Sequence, residues 1–383
     1  MNKKIPAFRE QLTRLIALPS VSSTDPAIDM SNRPVVDQLA SWLSDTGFSV
    51  EILDVSENPA KANLIAVAGK GEGGLVLSGH TDTVPFDTFG WQSDPFKLTE
   101  VDHRLYGLGV SDMKCFFPIV LDVIREIDLK TLKRPLYILA TCDEESTMSG
   151  ARSLVAAHRA LGRYALIGEP TGLKPVTMHK GVFFESIHLI GRAGHASDPS
   201  LGRSALEGMN AVINKLSRWR SELQKAHTNP AFSVPVPTLN FGSIHGGDNP
   251  NRICGQCEMK IDIRFLPGMD MADLRADIRR TVLETIDGLD LIVEFDPVPT
   301  GLPAMHTAAD SDIVRTAERL AGEPAGTVGF GTEGPYLNAL GMDTVVLGPG
   351  DIDVAHQANE YLALDRIVPM KNIVREMIRH FCM

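Results

Sequence analysis

The chain has 383 residues, 43% of them apolar, with a formal net charge of −11 and a pI near 5.5. That length exceeds one ordinary core and implies about two domains. The acidic balance excludes the basic footprint that nucleic acid or an anionic membrane surface needs, so neither is expected as a partner. Five scattered cysteines suit a reducing cytoplasm. The basic N-terminus has no apolar stretch behind it, so no secretory signal is read. The longest nearly apolar run, Cys115 to Ile124, holds Pro118 and Asp122 and is far short of a membrane span.

Taken in order, Phe8, Leu12, Leu15 and Ile16 follow helical spacing until Pro19. Ser31 or Asn32 is placed to cap a second helix with Val35, Val36, Leu39, Trp42 and Leu43 on its apolar face, ended by Gly47. Phe48 to Leu53 alternates as a strand, and Asn63 to Ala68 reads as another. Leu75 to Ser78 is a short apolar run after the glycine-rich GKGEGG, and it turns polar at His80 and Asp82. A helix is predicted over Met113 to Asp128, with Asp112 in the loop before it. Three further buried strands end in chemistry. Pro135 to Cys142 ends in Asp143-Glu144-Glu145, Tyr164 to Gly168 in Glu169, and Asp343 to Gly348 is followed by His356.

Between these the pattern changes. Strands at 182–189, 238–244, 258–264 and 289–295, with helices at 204–225 and 272–287, give the order βαββαβ of a ferredoxin-like domain. It is an insertion, because strand-end polar residues lie on both sides of it. The expected organisation is an α/β domain over 1–180 and 298–383 with an inserted domain over 181–297.

A single His-x-Asp triplet means little, but recurrence at strand ends does, because ligands in open α/β sheets bind beyond the carboxyl ends of the strands. His80, Asp112, Glu145, Glu169 and His356 can ligate two divalent metal ions with one carboxylate bridging. Mixed N/O ligation without thiolate suits zinc, or cobalt. A carboxylate near a metal-ligating imidazole commonly fixes its tautomer, the role open to Asp82. Glu144, adjacent to Glu145, can face a shared water and act as base and acid. Asp143 is left as a solvated loop residue. Cys254 and Cys257 form a lone CxxC and are read as buried small residues. His195, in the turn GRAGHAS, is open between loop and function.

The motifs SGHTDTVP, GLGVSDMK, the DEE at 143–145, GEP at 168–170, GRAGHAS and Ala355-His356 resemble the M20 metallopeptidase and deacylase family. The resemblance extends over nearly the whole chain through SDPFKLTE, RPLYILAT, IGEPTGLKPV, HGGDNPNRIC, DIRFLPGM and LGPGDIDVAHQANEYL. It implies a mixed-sheet α/β/α zinc-peptidase catalytic domain with a ferredoxin-like lid and dimerisation domain. His80 and Glu169 would hold one metal, Glu145 and His356 the other, and Asp112 would bridge. Asp82 would orient His80, and Glu144 would be the general base and acid. His195 would stabilise the oxyanion, in this family often across a dimer interface. Asn251, Arg252 and Arg264 would hold the substrate carboxylate, with Gly331 and Thr332 lining the pocket. The peptide after Asp112 is often cis in relatives. Cys115 replaces the usual glycine, and Asn359 stands where relatives often carry an acid. The implied reaction is hydrolysis of N2-acetyl-L-ornithine, a step of arginine biosynthesis, by a cytoplasmic homodimer. N-succinyl-diaminopimelate or another N-acyl amino acid are the alternatives. A non-catalytic metal-binding scaffold is a further one, against which an intact Glu144 argues.

Overall fold

In the computed structural model the described residues are 5–55, 58–87, 89–296 and 301–383. They fall into two compact units, Met1–Thr177 with His306–Gly326 and Thr332–Met383, and Met178–Met305 with Thr327–Gly331. The chain therefore enters the second unit three residues before the expected boundary; the return expected at 297/298 lies outside the described residues. Gly331 belongs to the second unit and Thr332 to the first.

The first unit opens with α1 (Phe8–Ile16), α2 (Arg33–Thr46), β1 (Ser49–Val55), β2 (Asn58–Ala68), β3 (Leu75–His80), β4 (Thr99–Val101), β5 (Arg104–Tyr106), α3 (Phe116–Ile124), β6 (Leu136–Thr141), α4 (Ser149–Ala156) and β7 (Tyr164–Ile167), and β8 (Val176–His179) carries the chain from the first unit into the second. The second comprises β9 (Gly181–Ile190), α5 (Ala205–Ala226), β10 (Thr238–Gly246), β11 (Gln256–Phe265), α6 (Met271–Ile286) and β12 (Ile292–Asp296). The chain closes with β13 (Met305–His306), α7 (Asp312–Ala321), β14 (Gly326–Val328), α8 (Gly334–Ala339), β15 (Asp343–Val346), β16 (Tyr361–Ala363) and α9 (Ile367–Cys382).

The large mixed sheet runs β1-β2-β6-β3-β7-β15-β8-β13, with β14 also on β8. At its centre β3 lies parallel between β6 and β7, and β15 lies parallel to β7. Both faces of these strands are buried. Leu75, Leu77, Ile138, Leu166 and Val345 join the core with α1, α2, α3, α7 and α9, while Val76, Leu139, Ala165, Ile167 and Val346 are buried on the opposite face. That is why the strands read as unbroken apolar runs rather than alternations.

Two local expectations change. Asn32 stands at the N-cap of α2, but its side chain makes no capping hydrogen bond. Its amide donates to Ala62 O and Thr81 Oγ1, both at 2.7 Å, and accepts from Ala62 N at 2.9 Å, tying β2 to the loop after β3. Ser31 Oγ accepts from Arg33 N instead, at 3.1 Å. The helix expected from Met113 starts at Phe116. The N–H groups of Ser111 and Asp112 are taken by the Glu360 carboxylate, so the turn ahead of the helix is fixed from outside it.

In the second unit the sheet order is β10-β11-β9-β12, antiparallel throughout, the βαββαβ arrangement of a ferredoxin-like fold. Phe183, Ile187 and Leu189 pack with Met209, Val212 and Leu216 of α5 and with Leu274, Ile278 and Val282 of α6. Cys254 and Cys257 are buried and unlinked.

Candidate active site

Four neighbouring parallel strands deliver their C-terminal ends to one place in the first unit. His80 ends β3, Glu144 and Glu145 follow β6, Glu169 follows β7, and His356 lies in the loop after β15. Asp112 reaches the same place from the turn before α3. His80 Nε2 lies 3.0 Å from Asp112 Oδ1 and 3.8 Å from Glu169 Oε2. His356 Nε2 lies 3.3 Å from Asp112 Oδ2 and 3.1 Å from Glu145 Oε2. Among the described residues three groups could hold a metal ion, His80–Asp112–Glu169, Asp112–Glu145–His356 and His80–Glu144–Glu145, each with its ligand atoms within 4.8 Å of one another, and the first two share Asp112. Asp112 offers one oxygen to each of those two. The Asp112–Met113 peptide is cis.

His80 is fully buried, and its tautomer is set by the main chain. Nδ1 faces the Asp82 carbonyl at 3.1 Å and the Asp82 carboxylate only at 3.7 Å. A proton on Nδ1 donated to that carbonyl leaves Nε2 facing Asp112 and Glu169, as a second N–H in the imidazolium and as a lone pair once that proton is lost. The Asp82 carboxylate instead accepts from Glu145 N at 3.1 Å, joining the loop after β3 to the loop after β6.

The electrostatics are those of buried carboxylates crowded around two imidazoles. Burial pushes Glu169 up to about 8, with Asp112 adding to it against His80. Burial, then Glu169, Glu145 and Glu333, push Glu144 well above the carboxylate range. Burial and the Asp112 charge raise Glu145. Burial works against Asp112 too, but His356 and His80 hold it well below the usual range. His80 is raised well above an ordinary imidazole because Glu169 and Asp112 outweigh its burial. Hydrogen bonds to Asp112 and Glu145 take His356 up to about 10. Glu169 Oε1 is buried with no hydrogen-bond partner. Two oxygen-rich sets with a shared carboxylate, one orphaned carboxylate oxygen and no thiolate fit divalent cations, whose charge would return these carboxylates to their ionised forms.

Three buried charges around this centre were not picked out by the sequence reading. Glu360 accepts from Gly109, Ser111 and Asp112 N–H. Glu333 lies buried near Ser78, and burial pushes it up to about 7. Asp143, expected in a solvated loop, is buried and pairs with Lys61. The signal available for each was a charged residue beside a buried strand end or glycine turn. Asn359 bridges Gly90 O and Gln92 N, both at 2.8 Å, and the buried acid beside it is Glu360.

The other expected site residues lie in the second unit, apart from Thr332. His195 is exposed, bridges to Arg252 in the backbone, and its Nδ1 faces Ser197 Oγ at 2.7 Å. Asn251 O accepts from Ala196 N, so His195, Asn251 and Arg252 share one loop cluster. Arg252 is paired with Asp248, and Arg264 holds Asp262 with two nitrogens at 2.9 and 3.0 Å. A Cβ on Gly331 would meet Leu302 Cδ2 at 2.0 Å. Buried Thr332 accepts from Gly334 N.

The sequence profile of peptidase family M20/M25/M40 matches residues 76–380. The chain is 45% identical to an acetylornithine deacetylase of Photorhabdus laumondii over 383 residues, covering 100% of this chain and 99% of that protein. It is 44% identical to an acetylornithine deacetylase of Klebsiella pneumoniae, with 100% of each chain covered. In fold it is similar to a tripeptidase of Staphylococcus aureus, with a TM-score of 0.75 at 19% identity over 98% of this chain and 97% of that one. It is also similar to a dinuclear metal-binding M20 peptidase of Bacillus subtilis, with a TM-score of 0.67 at 16% identity over 98% and 97% of the two chains.

Proposed function

The chain belongs to peptidase family M20/M25/M40, and from that premise we propose that it hydrolyses N2-acetyl-L-ornithine to L-ornithine and acetate as a two-metal enzyme. It is a metal-dependent hydrolase. The observation that carries the reading is the convergence of two ligand sets on a shared Asp112, in a chain alignable end to end with acetylornithine deacetylases.

His80, Asp112 and Glu169 would hold one ion, and Asp112, Glu145 and His356 the other, with zinc the best match to the donors and cobalt next. When bound, such ions lower the pKa of a shared water from ~15.7 towards ~7 and polarise an amide carbonyl. The chain's own residues do the rest. The Asp82 carbonyl keeps the His80 proton on Nδ1. Glu144, 8% exposed, lies with His80 and Glu145 and outside the two groups that share Asp112. It can take a proton from the water and return it to the leaving amine. His195 would stabilise the oxyanion at the site of a second copy, with the inserted domain as the homodimer contact. Asn251, Arg252 and Arg264, with Gly331 and Thr332, would hold the substrate carboxylate, for which the guanidinium fork is suited. The described residues contain no helix long and apolar enough to cross a membrane; the scattered free cysteines are what support a cytoplasmic reading.

The test is an assay of the purified protein, loaded with zinc or cobalt, on N2-acetyl-L-ornithine, N-succinyl-diaminopimelate and several N-acetyl amino acids. Acetylornithine should be the best substrate. Glu144→Gln should lower kcat by about 10²–10⁴ while still binding two ions. Preference for the succinylated compound refutes the substrate, and activity surviving Glu144→Gln or exhaustive chelation refutes the mechanism.

A further inference from the structure

The loop 143–148 carries the base and one metal ligand, yet the groups that shape it take no part in the chemistry. Asp143 and Met148 both adopt left-handed backbone, with φ of 55° and 56°. The Asp143 carbonyl accepts from Met148 N at 2.6 Å and Thr147 N at 3.1 Å, so the loop closes onto its own first residue. The Asp143 side chain is then held by three groups. Lys61 Nζ lies 2.8 Å from Oδ1, Ser22 Oγ donates to Oδ1 at 2.9 Å, and Ser149 Oγ donates to Oδ2 at 2.8 Å.

Lys61 has a side chain 1% exposed and pairs also with Asp29 at 2.6 Å. A buried ammonium is tolerated only where partners surround it, so two carboxylates confine it to a narrow range of positions. Ser22 and Asp29 lie on the segment joining α1 to α2, and that segment is laid against the loop after β3. Ser20 Oγ donates to Thr81 O at 2.7 Å, Ser22 N to Thr83 O at 2.8 Å, and Thr83 N to Ser20 O at 3.1 Å. One ion-paired hub thus fixes the His80 loop and the Glu144–Glu145 loop against each other. The Asp82 carboxylate adds the link to Glu145 N.

We propose that Asp143, Lys61 and Ser22 are positioning residues for the reaction: they hold the loop after β6 in the conformation that sets Glu145 with Asp112 and His356 and Glu144 beside His80 and Glu145. This rests on the two-metal reading of those glutamates. The competing account is that Lys61 and its carboxylates only add stability. Asp29 separates the two, because it serves Lys61 equally but does not touch the loop 143–148.

The full chain and its Asp143→Asn, Ser22→Ala and Asp29→Asn variants are compared by zinc calorimetry of the metal-free protein, by amide hydrogen exchange, and by kcat and KM. Asp143→Asn should weaken one of two bound zinc ions, and lower kcat, by about 10–100-fold with KM unchanged. It should also speed exchange of the Thr147 and Met148 amides by about tenfold or more. Ser22→Ala, which keeps the ion pair, should shift the same readouts in the same direction by less. Asp29→Asn should lower the melting temperature and move zinc affinity, kcat and loop exchange less than either Asp143→Asn or Ser22→Ala does. Equal effects of Asp29→Asn and Asp143→Asn, or unchanged loop exchange and zinc affinity in both Asp143→Asn and Ser22→Ala, overturn the proposal. Should Asp143→Asn fail to fold, Ser22→Ala against Asp29→Asn decides it. Absence of any hydrolysis by the parent protein defeats the functional reading, while the zinc and exchange measurements still decide the positioning.

Discussion

Replacing Glu360 by glutamine at pH 7 tests whether a buried charge holds the turn that carries Asp112. Glu360 Oε1 accepts from Ser111 N at 2.6 Å and Asp112 N at 3.0 Å, and Oε2 accepts from Gly109 N at 2.9 Å. Burial pushes the acid up to about 8. Donors on both oxygens, however, leave no place for a carboxyl proton and favour the ionised form. Buried Lys114 lies nearby as a positive group, brought down to about 7 by burial against the fields of Asp82 and Glu360. A glutamine carbonyl can keep two of the three N–H donors, while its NH2 must face the third. One buried donor is then orphaned at a cost of ~1–3 kcal/mol. Two retained bonds lose their charge assistance, ~1 kcal/mol each. The sum is about 3–5 kcal/mol, and Asp112, whose own N–H is among the donors, should lose zinc affinity about 10–100-fold. Native-state hydrogen exchange of the β3 and β6 amides reads the stability of the first unit without the second. A change under about 1 kcal/mol there, with zinc affinity intact, would mean that Glu360 is neutral and that no charge holds the loop.

Three further outcomes are expected. The metal-free protein should lose stability as pH rises from about 4.5 to about 8, because Glu169 and Glu333 titrate at about 8 and about 7 when folded and bind protons the unfolded chain releases. Lys114 acts oppositely, losing its proton at about 7; melting temperatures at pH 5.5 and 8.5 give the net slope, and a rise with pH contradicts the assignment. Saturating zinc should flatten that slope and raise the melting temperature, by ~4 kcal/mol of stability at a thousandfold excess over its dissociation constant; a shift produced equally by magnesium would refute the N/O selectivity argued from the two histidines. Gly348→Ala should destabilise the first unit by ~3 kcal/mol or more, since its Cβ would lie 2.1 Å from Gly168 O and 2.3 Å from Glu169 O; stability within about 1 kcal/mol would show that the strand end yields.

Much of this centre was legible without coordinates. Apolar runs at 75–78, 135–142, 164–168 and 343–348 stop at polar residues, and burial on both faces makes such runs conspicuous. His80, Glu144, Glu145 and Glu169 follow those runs at once, and Asp112 precedes a helix, so their positions could be read from local pattern. The inserted βαββαβ order was legible for the same reason. What the local pattern could not supply was the fate of charges whose partners are distant in sequence. Asp143 looks like any loop acid until Lys61 and Ser22 are folded onto it, and Glu360 is one more acid until the turn at Gly109–Asp112 wraps its carboxylate. Asp82 was identifiable as a partner of His80, but which of its atoms does the work depends on main-chain direction, and the carbonyl takes the imidazole while the carboxylate takes Glu145. Periodicity records which side chains leave water; whether a charge can leave with them depends on counter-charges and N–H groups that only the tertiary fold brings within hydrogen-bond reach.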